Sequence, residues 1–250
     1  MLIMTTRHTI THADEIYRGN AYLEGYSPDG RRGTLMSHVY VKEYGAVASY
    51  DADGIVTSYV ATAAYSNMLT NTASVCKGAL VSSALASTVT FDVPRNVLLT
   101  ACGDESSAPL YVYGQDEYGD DMVETIVASG AGVTSGKKAF KVISKLVTTA
   151  AFATTVSIGS GNRIGLPFRI ANKGKILGLS VNGLSTGGYS LVAGHATTAA
   201  PSSSQGDPDV RGTIAFTTVP DSSKLFTVAM VVDSTTRNKA FGQAQATAVT

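Results

Sequence analysis

Apolar and polar side chains alternate every second residue over much of this chain, and this period constrains the fold more than any other feature. The clearest example is the stripe formed by Phe226, Val228, Met230 and Val232. A strand points successive side chains to opposite faces of a sheet, whereas a helix repeats every 3.6 residues. Further stripes of period two are Val89, Phe91, Val93; Phe140, Val142, Leu146; Phe152, Val156, Ile158; Leu177, Leu179, Val181; and Ile214, Phe216. These segments predict strands.

Glycine, proline and acidic residues separate the predicted strands. Residues 110–113 and 122–127 flank an Asp- and Gly-containing segment, 114–120, and this arrangement predicts a hairpin. Pro94 lacks an N–H group, so we expect it to end one strand, with another beginning at residues 96–101. The glycine-rich segment 159–165 is followed by no helical pattern that could bind phosphate, and it predicts a β turn.

About ten short strands without long helices cannot form a parallel sheet, because parallel strands need crossover connections. The predicted fold class is therefore all-β and antiparallel, as a sandwich, a jelly roll or a barrel. Four regions follow from composition: residues 1–55 form an extended N-terminal arm, residues 56–195 a β-sandwich body, residues 196–208 a loop or linker, and residues 209–250 further strands and a C-terminal tail. For the first region, a segment packed on its own domain is the alternative.

The composition favours contact with other proteins. Charged residues make up 15% of the chain, below the roughly 25% of ordinary soluble domains. Ser, Thr, Asn and Gly supply the polarity instead, and such a surface suits dense assembly. The 19 basic residues balance the 19 acidic residues, so neither nucleic acid nor an anionic membrane is expected as the main partner.

Two cysteines, Cys76 and Cys102, lie among apolar or small residues, and we expect both to be reduced and buried. The opening residues 1–4 are apolar, but Arg7 and His8 follow before a signal-type apolar region develops. No stretch approaches 18 consecutive apolar residues. The sequence thus predicts a chain that is made in the cytoplasm and neither secreted by a standard signal nor inserted in a membrane.

No motif points to catalysis, a metal or a cofactor. His8 and His12 lie four residues apart, but the intervening Thr-Ile-Thr favours extended structure over a Zn-binding helix. Asp51 and Asp53 begin like a calcium loop, but Gly54 is misplaced and no bidentate Glu follows, so a tight turn is expected. The densest acidic cluster is Asp116, Glu117, Asp120, Asp121 and Glu124. We expect it at a hydrated hairpin tip, where carboxyl groups titrate normally.

Four segments taken together resemble the β-sandwich head proteins of tailed bacteriophages, including the cement or decoration proteins on the capsid. They are FDVPRNV at 91–97, VYGQDEYG at 112–119 with ETI at 124–126, GKKAFKVI at 136–143, and GSGNRIGLP at 159–167. The resemblance spans residues 87–170. It implies a jelly-roll-like body, a homotrimer, a position on the exterior of the phage head, and the major capsid protein as partner.

The candidate intersubunit contacts are five residues: Arg31, Arg32, Arg95, Tyr118 and Arg163. A structural role, bonding carbonyl groups at strand ends, is the alternative for Arg95 and Arg163. The predicted function is a non-enzymatic virion protein that stabilises the head by binding neighbouring capsid subunits. A tail or head-fibre module that recognises host glycan is the alternative, although the chain has no Trp for sugar stacking. A glycan-cleaving enzyme would need two carboxyl groups in a cleft.

Overall fold

The computed structural model describes residues 38–60, 67–70, 88–186, 188–194 and 209–232. These residues form thirteen strands and two single 3₁₀ turns, Met68–Thr70 and Lys173–Lys175. The strands are β1 His38–Ala46, β2 Val56–Tyr59, β3 Val89–Ala101, β4 Leu110–Gln115, β5 Asp121–Ile126, β6 Gly132–Ser135, β7 Phe140–Thr148, β8 Val156–Gly165, β9 Ile176–Val181, β10 Leu184–Ser185, β11 Tyr189–Ala193, β12 Gly212–Phe216 and β13 Leu225–Val232. The all-β prediction is confirmed. Within the described ranges no helix is long and apolar enough to cross a bilayer.

The strands form two antiparallel sheets. The larger sheet has the order β11-β12-β8-β3-β7-β4-β5, with β2 also paired to β8 and β6 to β3. The smaller sheet has the order β1-β13-β9-β10. Every strand pair is antiparallel, which confirms the inference from the missing crossover helices. The predicted β4–β5 hairpin is also confirmed, with Leu110 opposite Ile126.

Two apolar clusters form the core. One lies within the larger sheet and contains Phe91, Leu99 and Phe140. The other lies between the sheets, where the β13 stripe Phe226, Val228, Met230 and Val232 is fully buried, as the period predicts. Phe216 of β12 and Phe226 of β13 pack edge to face there, with ring centroids 4.7 Å apart. Apolar contact therefore joins the smaller sheet to the β8–β12 end of the larger one.

Three local predictions are wrong because tertiary pairing overrides the local signal. Pro94 does not end a strand: β3 continues past it, and the four residues between Thr90 and Arg95 lie opposite a single residue of β7, Lys141. Pro94 lies in this irregular stretch, where its missing N–H disturbs no regular ladder. Residues 159–165 form the second part of β8 instead of a turn. Their glycines permit close packing, because a Cβ on Gly159 would lie 2.0 Å from the Asp51 carbonyl oxygen.

The third error concerns Leu177, which does not share a buried face with Leu179. The β9–β13 register shifts so that Ala229 faces Gly178 while Met230 faces Ile176, and Leu177 is left 56% exposed. Cys102 is also corrected: it follows the end of β3 and is exposed, since the chain leaves the sheet at that point. Cys76 lies outside the described residues.

The described part of the predicted arm, residues 38–55, contains one strand and the turn that follows it. Residues 38–46 are β1, which pairs with β13 along its length. Residues 51–54 form the predicted turn, in which the Gly54 N–H donates to the Asp51 carbonyl oxygen at 3.4 Å. The remaining arm residues 1–37, the linker 196–208 and the tail 233–250 lie outside the described residues.

Candidate functional site

The acidic β4–β5 hairpin tip is packed against the protein, and the expectation of a hydrated tip is wrong for Asp116. Asp116 is buried and forms an ion pair with the buried Arg211. Its other carboxyl oxygen accepts the backbone N–H groups of Tyr118 at 2.8 Å and Asp120 at 3.1 Å. One carboxyl group thus closes the hairpin loop and neutralises a buried guanidinium. Burial acts to lower the pKa of Arg211, but the negative charges of Asp116 and Asp209 outweigh it and raise that pKa.

Tyr118 and its neighbour Glu117 attach the hairpin to two other parts of the fold. The Arg211 guanidinium lies 4.6 Å from the centroid of the Tyr118 ring, and the Tyr118 hydroxyl donates to the Pro167 carbonyl at 3.1 Å. Glu117 pairs with Lys42 of β1. Tyr118, a predicted intersubunit residue, therefore makes its described contacts with residues of its own chain.

Glu124 is the described carboxyl group with the most unusual environment. It is fully buried on β5, and its Oε1 accepts the backbone N–H groups of Lys137 and Lys138. Burial raises the pKa of Glu124 to about 7, while the charge of Lys138 acts in the opposite direction. Its Oε2 is buried without a hydrogen-bond partner. Because this group is closed off from solvent, it does not present the clefted carboxyl pair that a glycosidase requires.

Arg95 is buried and joins three chain segments. Its guanidinium pairs with Asp92 at 2.8 Å and donates to the carbonyl oxygens of Ala48 and Gly161. These contacts match the structural alternative given for Arg95. Arg163 is half-buried on β8; burial lowers its pKa, and its Nη1 has no hydrogen-bond acceptor.

The structure does not describe the remaining candidate residues from the sequence. Arg31, Arg32, His8 and His12 lie outside the described residues. No group of three or more His, Cys, Asp or Glu side chains that could hold a metal occurs in the described ranges.

The surface that the sequence analysis missed is the side of the smaller sheet that faces away from the core, here called the outer face. Val39 and Val41 of β1, Leu177 of β9 and Leu225 of β13 are 48%, 51%, 56% and 53% exposed. Ala229 and Val231 lie between the buried residues of β13 and continue this face. Thr227 of β13 and Ser180 of β9 face each other on the same side, so the outer face combines exposed aliphatic side chains with uncharged hydroxyl groups.

The outer face carries almost no charge. The four strands of the smaller sheet contain two residues with a formal charge, Lys42 and Glu43, and both belong to β1. Lys42 lies on the inner side and pairs with Glu117, so Glu43 is the formal charge on the outer side. Charge depletion of this kind is typical of the centre of a protein–protein interface.

The edge of the smaller sheet is formed by β1. Among the described strands, β1 pairs with β13 alone, so its second edge meets no described strand. His38 faces Val232 across the β1–β13 ladder. The segments 1–37 and 233–250 therefore join the sheet at the same end.

The sequence of β1 contains a signal for the outer face. Val39 and Val41 alternate with Tyr40, Lys42 and Tyr44, and both sets are able to contact apolar surface. The sequence does not show which set faces the core. In the structure Tyr40 packs edge to face on Phe168, and the Tyr44 hydroxyl donates to the Gly165 carbonyl at 2.8 Å. The tyrosines occupy the inner side, which leaves the valines outside.

Comparison with models of protein families, with curated proteins and with solved structures found no match. The resemblance to phage head proteins stays a prediction from the four sequence segments.

Proposed function

We propose that this chain is a structural protein that binds other protein subunits through its outer face, as a cement or decoration protein of a tailed-phage head. The observation that carries the proposal is that the outer face exposes four large aliphatic side chains to solvent, while the opposite side of the same sheet packs on the core. An exposed apolar face costs free energy in water and marks a binding surface. The capsid as the partner rests on the sequence resemblance.

The proposed mechanism is repeated weak binding. Four strands spaced about 4.8 Å apart and about six residues long give an outer face of roughly 400 Å², about half of the roughly 800 Å² that each partner contributes to a standard interface. A single contact of this size is weak. Repeating it around a symmetric shell gives avidity without a strong individual site. Such a protein would oppose separation of capsid subunits under the outward pressure of packaged DNA.

The jelly-roll-like topology belongs to the same proposal, because two antiparallel sheets joined by one apolar layer are compatible with it. The glycan-binding alternative needs a cluster of exposed aromatic rings. Tyr50 is the one aromatic among the large exposed hydrophobic residues of the described chain, so this alternative gains no support.

Binding can be tested by cosedimentation of the purified chain with capsid shells of the phage that carries its gene. Leu177→Asp places a charge in the outer face, and we expect it to abolish cosedimentation. Val133→Asp is the matched control: Val133 is an apolar strand residue, 61% exposed, on β6 of the larger sheet. Failure of the unmodified chain to bind shells, or equal loss in the two variants, would count against the proposal.

A further inference from the structure

We infer that two copies of this chain pair through the edge of β1 that meets no described strand, antiparallel and centred on Val41, to form one continuous eight-stranded sheet. This inference does not rest on the capsid assignment. A long edge strand with unpaired backbone groups is a template for pairing with another strand, and natural proteins protect such edges with charge, proline or bulges. Residues 38–43 of β1 contain no proline, and the bulge with its positive-φ glycine, Gly45, comes only after Glu43. The two charged residues of this stretch, Lys42 and Glu43, have opposite signs and point to opposite faces.

Charge selects the register of this pairing. Two residues that lie opposite each other in an antiparallel pair point to the same face of the sheet. When β1 pairs with its own copy, the outer faces of the two copies therefore join only if the two opposed residue numbers add up to an even sum. The full-length register with sum 84 places Lys42 against Lys42 of the second copy, and like charges directly opposite each other are destabilising. The next register, with sum 82, avoids this contact and uses residues 38–44.

The register with sum 82 brings different pairs of side chains together on the two faces of the joined sheet. On the outer face Val41 meets its own copy on the two-fold axis, and Val39 lies opposite Glu43. On the inner face Tyr40 lies opposite Lys42, a pair that allows a cation–π contact. Within one copy Lys42 already lies 5.7 Å from the Tyr44 ring centroid. No residue of the paired stretch meets a like charge.

The pairing also enlarges the outer face, which in a single copy is too small for a standard interface. Two copies side by side double the area of the outer face from roughly 400 to roughly 800 Å², the amount that one partner contributes to a standard interface. If a second copy occupies the β1 edge, the outer face therefore becomes large enough to form a stable complex with a partner. Antiparallel pairing of one strand with its own copy is two-fold and gives a dimer.

Sedimentation velocity on the full chain and two charge variants tests the inference. Val41→Lys places two ammonium groups together at the two-fold axis, and we expect it to convert the dimer to a monomer. Val39→Lys is the matched control on the same strand and face. It places each new ammonium opposite Glu43 of the other copy, so we expect the dimer to persist. A trimer, a monomer in the unmodified chain, or equal dissociation by both variants would overturn the inference.

Disulfide crosslinking checks the register itself. In a chain with Cys76→Ser and Cys102→Ser no other thiol is present. Val41→Cys should crosslink into a covalent dimer, because the two Cα atoms lie about 5 Å apart across the axis. Val39→Cys should not, since its two copies are offset by four residues, about 14 Å along the strand. Crosslinking through position 39 instead, or through neither position, would refute the register.

Residues 1–37 are the competing occupant of the β1 edge within one chain. If they cover it, the full chain sediments as a monomer and Val41→Cys forms no dimer, and this outcome overturns the inference.

Discussion

Asp116 in the β4–β5 hairpin and Arg211 before β12 form an ion pair although 95 residues separate them in the sequence. Each side chain is 3% exposed. Asp116 also accepts two N–H groups of its own loop. The pair therefore holds the hairpin against the segment that leads into β12, and the buried charges make it sensitive to loss of either partner.

Asp116→Asn should lower the free energy of unfolding by about 3 kcal/mol, because it removes the buried counterion of the Arg211 guanidinium and leaves it the partly exposed Asp120 at 3.4 Å. Urea unfolding followed by circular dichroism measures this loss. Asp121→Asn in the same hairpin is the control: Asp121 is exposed and accepts one bond from Gln115, so a change within about 0.5 kcal/mol is expected. A similar loss in both variants would show that the ion pair has no special role.

Glu124 should make the protein less stable as pH rises from about 4.5 to about 7. Its pKa is about 7 in the folded protein, against 4.5 for an ordinary Glu. The unfolded chain therefore loses its proton first, and the folded state bears the full penalty only above pH 7. The difference corresponds to about 3 kcal/mol.

Glu124→Gln tests this pH dependence, because it keeps an oxygen acceptor for the Lys137 and Lys138 N–H groups without an ionisable group. Urea unfolding at pH 5, 6, 7 and 8 should show a gain in stability that is small at pH 5 and largest at pH 8. A parallel offset at all four pH values would contradict the assignment.

Gly159→Ala should destabilise the fold by at least about 3 kcal/mol, since the added methyl group meets backbone atoms that a rotamer change cannot relieve. The Asp51 carbonyl oxygen would lie 2.0 Å from the new Cβ. Gly178→Ala on β9 provides the comparison, because nothing lies within 4 Å of a Cβ there. That variant should be neutral or up to about 1 kcal/mol more stable. Thermal unfolding of the two proteins distinguishes a packing requirement from a general preference for glycine.

Arg95→Lys should cost about 3 kcal/mol even though the positive charge is kept. An ammonium group cannot bond Asp92 and the carbonyl groups of Ala48 and Gly161 together, as the planar guanidinium does. Arg163→Lys serves as the reference, because no described acceptor bonds the Arg163 side chain at Nη1. Chemical unfolding should show a much smaller loss for that variant. Equal stability of the two lysine variants would argue against the bonding role of Arg95.

Local patterns in the sequence predicted the features that depend on neighbouring residues. The β13 stripe from Phe226 to Val232 and the β4–β5 hairpin are confirmed, because a period of two and a turn with Asp and Gly act over a few residues. The antiparallel arrangement also followed, since short connections without helices allow no parallel crossover.

Other features depended on residues far away in the chain. Pro94 passes through β3 because the pairing with β7 is irregular there, and residues 159–165 form a strand because Asp51 and Asn96 pack closely against their glycines. The burial of Asp116 required Arg211, and the burial of Glu124 required the loop at 137–138.

The sequence by itself determined that this chain is a low-charge, antiparallel β protein. Only the tertiary structure decided which side faces the core in a strand such as β1, where both sets of alternating side chains can contact apolar surface. In β1 the tyrosines pack on Phe168 and Gly165, and this choice turns Val39 and Val41 outward. The physical reason is that alternation specifies two faces for a strand, whereas the neighbour that covers a face is fixed by contacts between distant segments.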